Sequence, residues 1–325
     1  SIGRDVLRPS LGLYADGGGD LKFMLGVQHV RHWLNERGGQ WRNTLRIGNE
    51  SRISTSLYQP FDVGQRYFVE PELLGNRSVE DLYIDGSNVA SYRFVDLGGR
   101  IDLGWNLNQN AQLRLGYWNE NRRITVQTGL GILPEADFRD AGLAFSASYD
   151  SRDKAAFATS GLVAAVEYQR SDDSLGADRN WDSVEAGLRK ALRIRKDLAW
   201  ISVAGGTDLG NKLPGDRAFS LGGPNTMPAY QYDELRVGSY WLVDASFLWH
   251  LKDLARVKNQ AIYAGLGLQV AGLYDRVDLV ADDEVYGVSA YLSGPTQIGT
   301  FKLGVAAAPD TWSIWLSLGR SVGNG

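Results

Sequence analysis

The sequence predicts an all-β fold, a 16-stranded antiparallel transmembrane β-barrel. Three observations predict it. Apolar and polar residues alternate with a period of two from one end of the chain to the other. Turn-forming clusters interrupt that alternation at short intervals, among them NERGGQ, GNES, NLNQN, SRDKAAFATSG and GPTQIG. Glycine is abundant, 39 of 325 residues against roughly 7% in average proteins, beside 10 Trp, 15 Tyr and 10 Phe and only 9 Pro.

Taken in order, the alternating runs begin near residues 8, 20, 40, 52, 65, 89, 111, 136, 160, 181, 197, 238, 260, 284, 297 and 310. In VDLGGRIDLGWNL, residues Val95, Leu97, Ile101, Leu103 and Trp105 face away from Asp96, Arg100, Asp102 and Asn106. SYWLVDASFLWH opposes Trp241, Val243, Ala245, Phe247 and Trp249 to Tyr240, Leu242, Asp244 and Ser246. QAIYAGLGLQVAG sets Ile262, Leu266, Leu268 and Val270 against Tyr263, Gly265, Gly267 and Gln269. TWSIWLSLG closes the series, with Trp312, Ile314, Leu316 and Leu318 on one face. One connection, residues 209–237, is long. The expected organisation is a leader at 1–7, a barrel over 8–320 and a tail at 321–325.

The polar face decides where water lies. It mixes small residues with Arg42, Arg46, Arg100, Asp102, Arg114, Glu167, Glu185 and Asp244, which suits a hydrated lumen. Aromatics on the apolar face gather near strand ends, at Trp33, Trp41, Trp105, Tyr149, Tyr168, Trp241, Trp249 and Trp312, as at a water–lipid boundary. An even number of tilted strands of about 9–11 residues crosses a bilayer, and closure pairs every backbone group that lipid could not.

Composition also excludes. Acidic residues number 38 and basic 34, so nothing argues for a nucleic-acid partner. There is no cysteine, hence no disulfide framework and no thiolate metal site. No run of about 18 apolar residues suggests a transmembrane helix. SIGRDVLRPS lacks the apolar core of a signal peptide. His29 and His32, three apart on one expected strand, point to opposite faces and cannot share a metal; with His250 they read as ordinary polar residues. Glu70/Glu72 and Asp282/Asp283 could hold Ca²⁺, but solvated charge is the simpler reading. LGGPN lacks the phosphate-cradling pattern. A lipase elbow, G-x-S-x-G, is not expected in the chain. No catalytic residue, metal or cofactor is expected.

YDSRDKAAFATSGLVAAVEYQ (149–169) resembles a passage joining two strands in the BamA-type barrels, a superfamily that assembles or translocates proteins at bacterial outer membranes. AFSLGGPNTMPAY (218–230) resembles the long loop of those barrels, F-x-L-G-G followed by an R-G-Y or R-G-F tip. The resemblance runs from residue 8 to the end. It implies a Gram-negative outer membrane and a loop between strands 11 and 12 folded into the lumen, with Phe219, Leu221, Gly222, Gly223, Pro228, Ala229 and Tyr230 as its motif. Gly222 and Gly223 would allow tight bends, and Pro224 and Pro228 would stiffen it.

One departure stands out. Where the family has R-G-Y, this chain has Pro228-Ala229-Tyr230. Where the family places the partner Asp on strand 13, Tyr263-Ala264-Gly265-Leu266-Gly267 puts Gly265. Loss of both charges together predicts an uncharged loop anchor, with Tyr263, Gly265 and Gly267 facing the loop. Such divergent loops resemble the barrels of patatin-like type Vd autotransporters. That implies export of a covalently attached N-terminal lipase passenger, with no catalysis in the barrel itself. Outer-membrane lipid and the barrel-assembly machinery would be its partners; a homo-oligomer stays open. An assembly factor or partner-secretion translocator acting on a separate substrate is the alternative, and a substrate-specific porin a further one. Gly12 and Gly319, near the two ends of the sheet, mark a weak lateral seam between the first and last strands.

Overall fold

A computed structural model describes residues 5–17, 19, 21–84, 87–129, 135–253, 261–277 and 283–319. Leader residues 1–4, Asp282 and the 321–325 tail lie outside them. The described residues form one antiparallel sheet. Its first eight strands are β1 (Asp5–Asp16), β2 (Leu21–Arg31), β3 (Gln40–Gly48), β4 (Glu50–Pro60), β5 (Tyr67–Ile84), β6 (Ser87–Asn106), β7 (Ala111–Gly129) and β8 (Ala136–Asp150). There follow β9 (Gly161–Ser171), β10 (Trp181–Ile194), β11 (Asp197–Thr207), β12 (Phe219–Leu221) and β13 (Leu235–Asp253). The last four are β14 (Ala261–Arg276), β15 (Asp283–Thr296), β16 (Gly299–Ala307) and β17 (Trp312–Gly319).

Sixteen of these strands close into a barrel, because β17 pairs back onto β1 and β11 pairs directly with β13. Every expected strand start lies within three residues of the observed one. Two differences have local causes. β1 begins at Asp5 because Asp5–Leu7 pair with His29–Arg31 of β2. β12 was not expected; its three residues are too few to show a period, and only its ladder to β13 makes it a strand. It lies inside the long connection, now residues 208–234.

Alternation set the faces correctly. Leu21 and Phe23 of β2 point outward at 62% and 47% exposure, whereas Lys22 and Met24 point inward and are buried. Leu97, Ile101, Leu103 and Trp105 of β6 are likewise exposed on the outer surface, opposite buried Asp96 and Asp102. A water-soluble protein would not spread so much apolar surface over its outside. The interior is less uniformly polar than expected. One apolar cluster gathers Leu221, Met227, Leu235, Val237, Tyr240 and Leu273; another gathers Tyr14, Phe157, Ala229, Tyr263, Tyr291 and Trp315. Antiparallel order places the 208–234 connection at one end of the barrel and the β8–β9 turn, residues 151–160, at the other. The first is called the loop end below, the second the turn end.

Candidate functional site

Two regions combine unusual backbone with interior polar chemistry: the 208–234 connection and the meeting of β1 with β17. The connection passes through one 3-10 turn, Gly215–Arg217, before β12 sets the Phe219 ring edge-on to Tyr240 at 5.4 Å and buries Leu221. The chain then reverses at Gly222 and Gly223, with φ of 128° and 76°. A Cβ on Gly222 would strike the Gln231 carbonyl oxygen, and one on Gly223 would lie 2.9 Å from the Tyr232 ring. Only glycine fits both the backbone and the space. Thr226 fastens the reversal, its hydroxyl donating to the Gly222 carbonyl at 2.7 Å and accepting from the Gly222 amide at 2.9 Å.

The segment is then moored by side chains. Asp216 accepts from Arg179 at 2.7 Å and from Arg122 of β7 at 3.3 Å. Arg217 donates to Asp140 of β8 at 2.6 Å and also to Glu120 of β7. Arg236, entering β13, donates to Glu80 of β5 and to the Gly215 carbonyl at 3.0 Å. Lys22 of β2 donates to Asp233 at 3.1 Å, and the Tyr83 hydroxyl of β5 to Gln231 at 2.7 Å. From the remaining side, the Ser313 hydroxyl of β17 donates to the Pro228 carbonyl at 2.5 Å, and Tyr14 of β1 meets Tyr232 edge-on at 4.6 Å. Burial alone would raise the Asp216 carboxyl; the Arg179 guanidinium, with Arg122 and Arg217 behind it, holds it below the usual aspartate range.

This corrects the expectation of an uncharged anchor. The Arg at the tip and its Asp partner are indeed absent, but charge has moved upstream to Asp216-Arg217 and downstream to Asp233 and Arg236. The tip also faces different strands. Ala229 lies over Gly287 of β15, whose Cβ position is 3.8 Å from it. Gly265 is covered by the Tyr291 ring, 2.5 Å from where its Cβ would sit, and Tyr263 stacks on Phe157 of the β8–β9 turn at 5.6 Å. Gly267 sits among Ser246, Gln269 and Ser289; those three line a small cavity beneath Pro224, Asn225, Thr226 and Pro228. Tyr230, part-buried, packs against both interior clusters.

Most of the expected lumen charges form one network. Arg42 donates to Glu70 at 3.0 Å, and Arg114 pairs with Glu70 at 3.1 Å and Asp102 at 3.5 Å. Arg100 reaches Asp102 at 2.7 Å and Glu167 at 3.3 Å. Glu185 stands apart, accepting from the Tyr240 hydroxyl at 2.7 Å, and Asp244 accepts from Ser246 at 3.3 Å. Arg46 joins no ion pair among the described residues. Glu70 and Glu72, weighed as calcium ligands, are occupied by arginines instead, Glu72 by Arg52 at 2.8 Å. Asp282 lies outside the described residues.

At the seam β1 meets β17 over Gly12–Asp16 and Trp315–Gly319, five residue pairs, against eleven between β1 and β2. Gly12 pairs directly with Gly319. Gly319 has φ 95°, and a Cβ there would collide with the Leu11 carbonyl oxygen.

The Omp85 superfamily domain matches residues 35–291. The chain belongs to the Omp85 superfamily. Its fold is similar to BamA from Haemophilus ducreyi lacking POTRA domains 1-3, with a TM-score of 0.72 at 11% identity, covering 97% of this chain and 71% of that one. It is also similar to CdiB from Acinetobacter baumannii, TM-score 0.69 at 10% identity over 97% of this chain and 60% of the other. CdiB from Escherichia coli gives 0.61 at 12% over 95% and 63%. The chain thus spans less than two thirds of either CdiB. No curated protein sequence matches it. The neighbours show the barrel fold, and membership of the Omp85 superfamily indicates the Gram-negative outer membrane and a general role in translocation or assembly.

Several smaller expectations change in this Omp85 barrel. His32 follows the end of β2 rather than sharing a strand with His29, whose Nε2 lies 2.9 Å from an Asp5 carboxylate oxygen. His250 Nε2 lies 2.9 Å from Asp253. Among the described residues no group of His, Asp and Glu has metal-binding geometry. The string G-x-S-x-G does occur once, at Gly319-Arg320-Ser321-Val322-Gly323, contrary to expectation. It terminates β17 instead of following a central strand of an α/β sheet, and only Gly319 of it is described. Sequence reading missed Glu120, Arg122, Asp140, Arg179, Asp216, Arg217 and Arg236. The one available signal was the doublet Asp216-Arg217 set immediately before the AFSLGG string.

Proposed function

We propose that this barrel moves polypeptide across the outer membrane, with segment 208–234 as a resident plug in its lumen, and that it performs no catalysis itself. The observation that carries the reading is the mooring of 208–234 to β2, β5, β7, β8 and β17 by ion pairs and hydrogen bonds. A segment bonded to strands around the ring lies across the path through it. A permanently open pore is not closed by such a segment, whereas a translocator needs a wall that is closed at rest and releasable.

The finer reading is export of an N-terminally attached patatin-like lipase, as in type V secretion, in a barrel embedded in outer-membrane lipid and inserted by the barrel-assembly machinery. Support comes from the Pro228-Ala229-Tyr230 tip with Gly265, the departure that resembles the autotransporter branch. The test fuses a tagged domain ahead of Asp5, expresses it in a Gram-negative host and measures protease accessibility on intact cells. The wild-type barrel should expose the domain. A Pro228→Cys, Ser313→Cys pair, the only cysteines in the chain, should lock the plug and block exposure until a reductant is added. Exposure indifferent to the lock would remove the plug from the mechanism. A fused domain that stays inside, with the barrel folded, would favour a separate substrate.

A further inference from the structure

The barrel interior holds a chamber of about 440 Å³ between its two inward-reaching connections. Asn225 of the 208–234 segment borders it from the loop end, and Ala156, Phe157 and Ala158 of the β8–β9 turn from the other. That turn is built into the wall. Trp200 Nε1 donates to the Ala158 carbonyl at 3.0 Å, and the Thr300 hydroxyl to the Ala156 carbonyl at 2.6 Å. Phe157 is buried between the Trp200 and Tyr263 rings, at 5.1 and 5.6 Å. Ser10, Ser317 and Gly319 bring the seam to another side of the chamber.

Arg46 of β3, Arg189 of β10 and Lys302 of β16 line this space. Elsewhere inside, Arg42, Arg100, Arg114, Arg122, Arg179 and Arg217 all reach a carboxylate. These three ion-pair with none among the described residues. Lys302 lies over the ring faces of Trp200 and Tyr291, at 5.8 and 5.9 Å. Arg189 lies close enough to Lys302 for their charges to repel. A fourth cation, Arg152, is held by Asp150 at 2.7 Å.

The neighbouring carboxylates do not resolve the imbalance. Asp244 lines an adjoining cavity of about 30 Å³ and attracts both Lys302 and Arg189, yet its oxygens accept from Ser246 and Gln269. Glu50 attracts Arg46 from β4 without an ion pair. Like charges confined in a space of low dielectric are costly unless an anion joins them. Guanidinium and ammonium groups match the oxygens of phosphate in geometry and charge.

We propose that the chamber binds one phosphate group between Arg189 and Lys302, with Arg46 completing the set. The phosphate is either free or the headgroup of a lipid reaching in past Ser10 and Ser317 at the seam. The volume leaves room for an organic portion against Met24, Phe157 and Ala191.

Thermal unfolding of the purified barrel, followed by tryptophan fluorescence, tests this directly. Inorganic phosphate is titrated against chloride at constant ionic strength in an uncharged detergent. A second arm, in phosphate-free buffer, compares nanodiscs of phosphatidylglycerol with nanodiscs of digalactosyldiacylglycerol, a neutral lipid that has no phosphate. Phosphate should raise Tm saturably if the ion is free; protection confined to phosphatidylglycerol identifies a headgroup. Arg189→Gln or Lys302→Gln should weaken half-saturation by about tenfold or more, the worth of one charge-assisted hydrogen bond. Arg189→Lys should retain binding, and Asp244→Asn should tighten it. If neither phosphate nor phosphatidylglycerol shifts the wild-type protein, the site does not exist. An equal shift in the glutamine variants refutes it as well; should those variants not fold, Arg189→Lys and the wild-type titration decide.

Discussion

The β5–β8 side of the barrel and the β16–β17–β1 side follow different plans. β5, β6 and β7 run 18, 20 and 19 residues, and the inner faces of β6, β7 and β8 carry the Asp96, Glu120, Arg122 and Asp140 side chains that grip Asp216, Arg217 and Arg179. β16 and β17 run only 9 and 8 residues, and β17 meets β1 over five pairs, from Gly12–Gly319 to Asp16–Trp315. The 208–234 segment touches both sides unequally. Towards β5–β8 it is held by buried ion pairs; towards β17 and β1 the contacts are uncharged, the Ser313–Pro228 hydrogen bond, the Tyr14–Tyr232 ring edge and the packing of Ala229 in one apolar cluster with Tyr14 and Trp315. Parting the seam would therefore break a short ladder and leave the moorings in place, and freeing the plug would leave the seam paired. The two motions are separable.

Arg217→Ala should produce the largest change. Asp140 is fully buried, and the substitution removes one of its two guanidinium partners while leaving Glu120 with none of those described. Breaking a buried pair from one side costs about 3–5 kcal/mol. In planar bilayers the variant should convert a quiet barrel into one with large, frequent openings, while β-barrel mobility on cold gels is unchanged. Arg217→Lys, which keeps the charge and loses the bidentate fork, should fall between the two. Openings no larger than wild type would mean that the ion pairs do not hold the plug.

At the seam, Gly319→Ala forces a side chain into a left-handed backbone and against the Leu11 carbonyl. A loss of about 1–3 kcal/mol follows from that strain. Gly187→Ala on β10 is the control, since the nearest atom to its Cβ position is 3.9 Å away. Urea midpoints of the two variants should differ clearly, with Gly187→Ala close to wild type and Gly319→Ala lower. Equal midpoints would show that the seam is no more constrained than the rest of the wall.

The contrast between the two sides also explains what the sequence could reveal. Period-two alternation states which way each side chain faces, so Leu97 and Asp102, or Leu266 and Gln269, were assigned to the correct surfaces before any register was known. Gly222 and Gly223 were legible because a local backbone constraint leaves a local residue choice. The moorings were not. Arg217 lies 97 residues from Glu120 and 77 from Asp140, and Arg122 lies 94 from Asp216. Alternation places Glu120, Arg122 and Asp140 on the inner face but does not set the depth at which the 208–234 segment crosses them. Gly265 misled for a related reason. The resemblance put it where the family has the partner Asp, facing the loop, whereas the Tyr291 ring, from the adjacent strand, covers it.

The smallest effect separates the mooring from pH over the range bacteria meet. The Asp216 carboxyl is held below its ordinary range by Arg179, Arg122 and Arg217 against the opposing pull of burial. A carboxylate depressed by folding contributes stability that is fully present above its unfolded pKa, about 3.9, and is lost only as pH falls through the depressed value. Conductance should therefore stay quiet from about pH 7 down to about 4.5, and the Asp216 contribution should fade only below about 3.9. Asp216→Asn should lack that acid step and show weaker plug retention already at neutral pH. Opening of the wild-type barrel between about pH 7 and 5 would assign the latch to a group that titrates higher than Asp216.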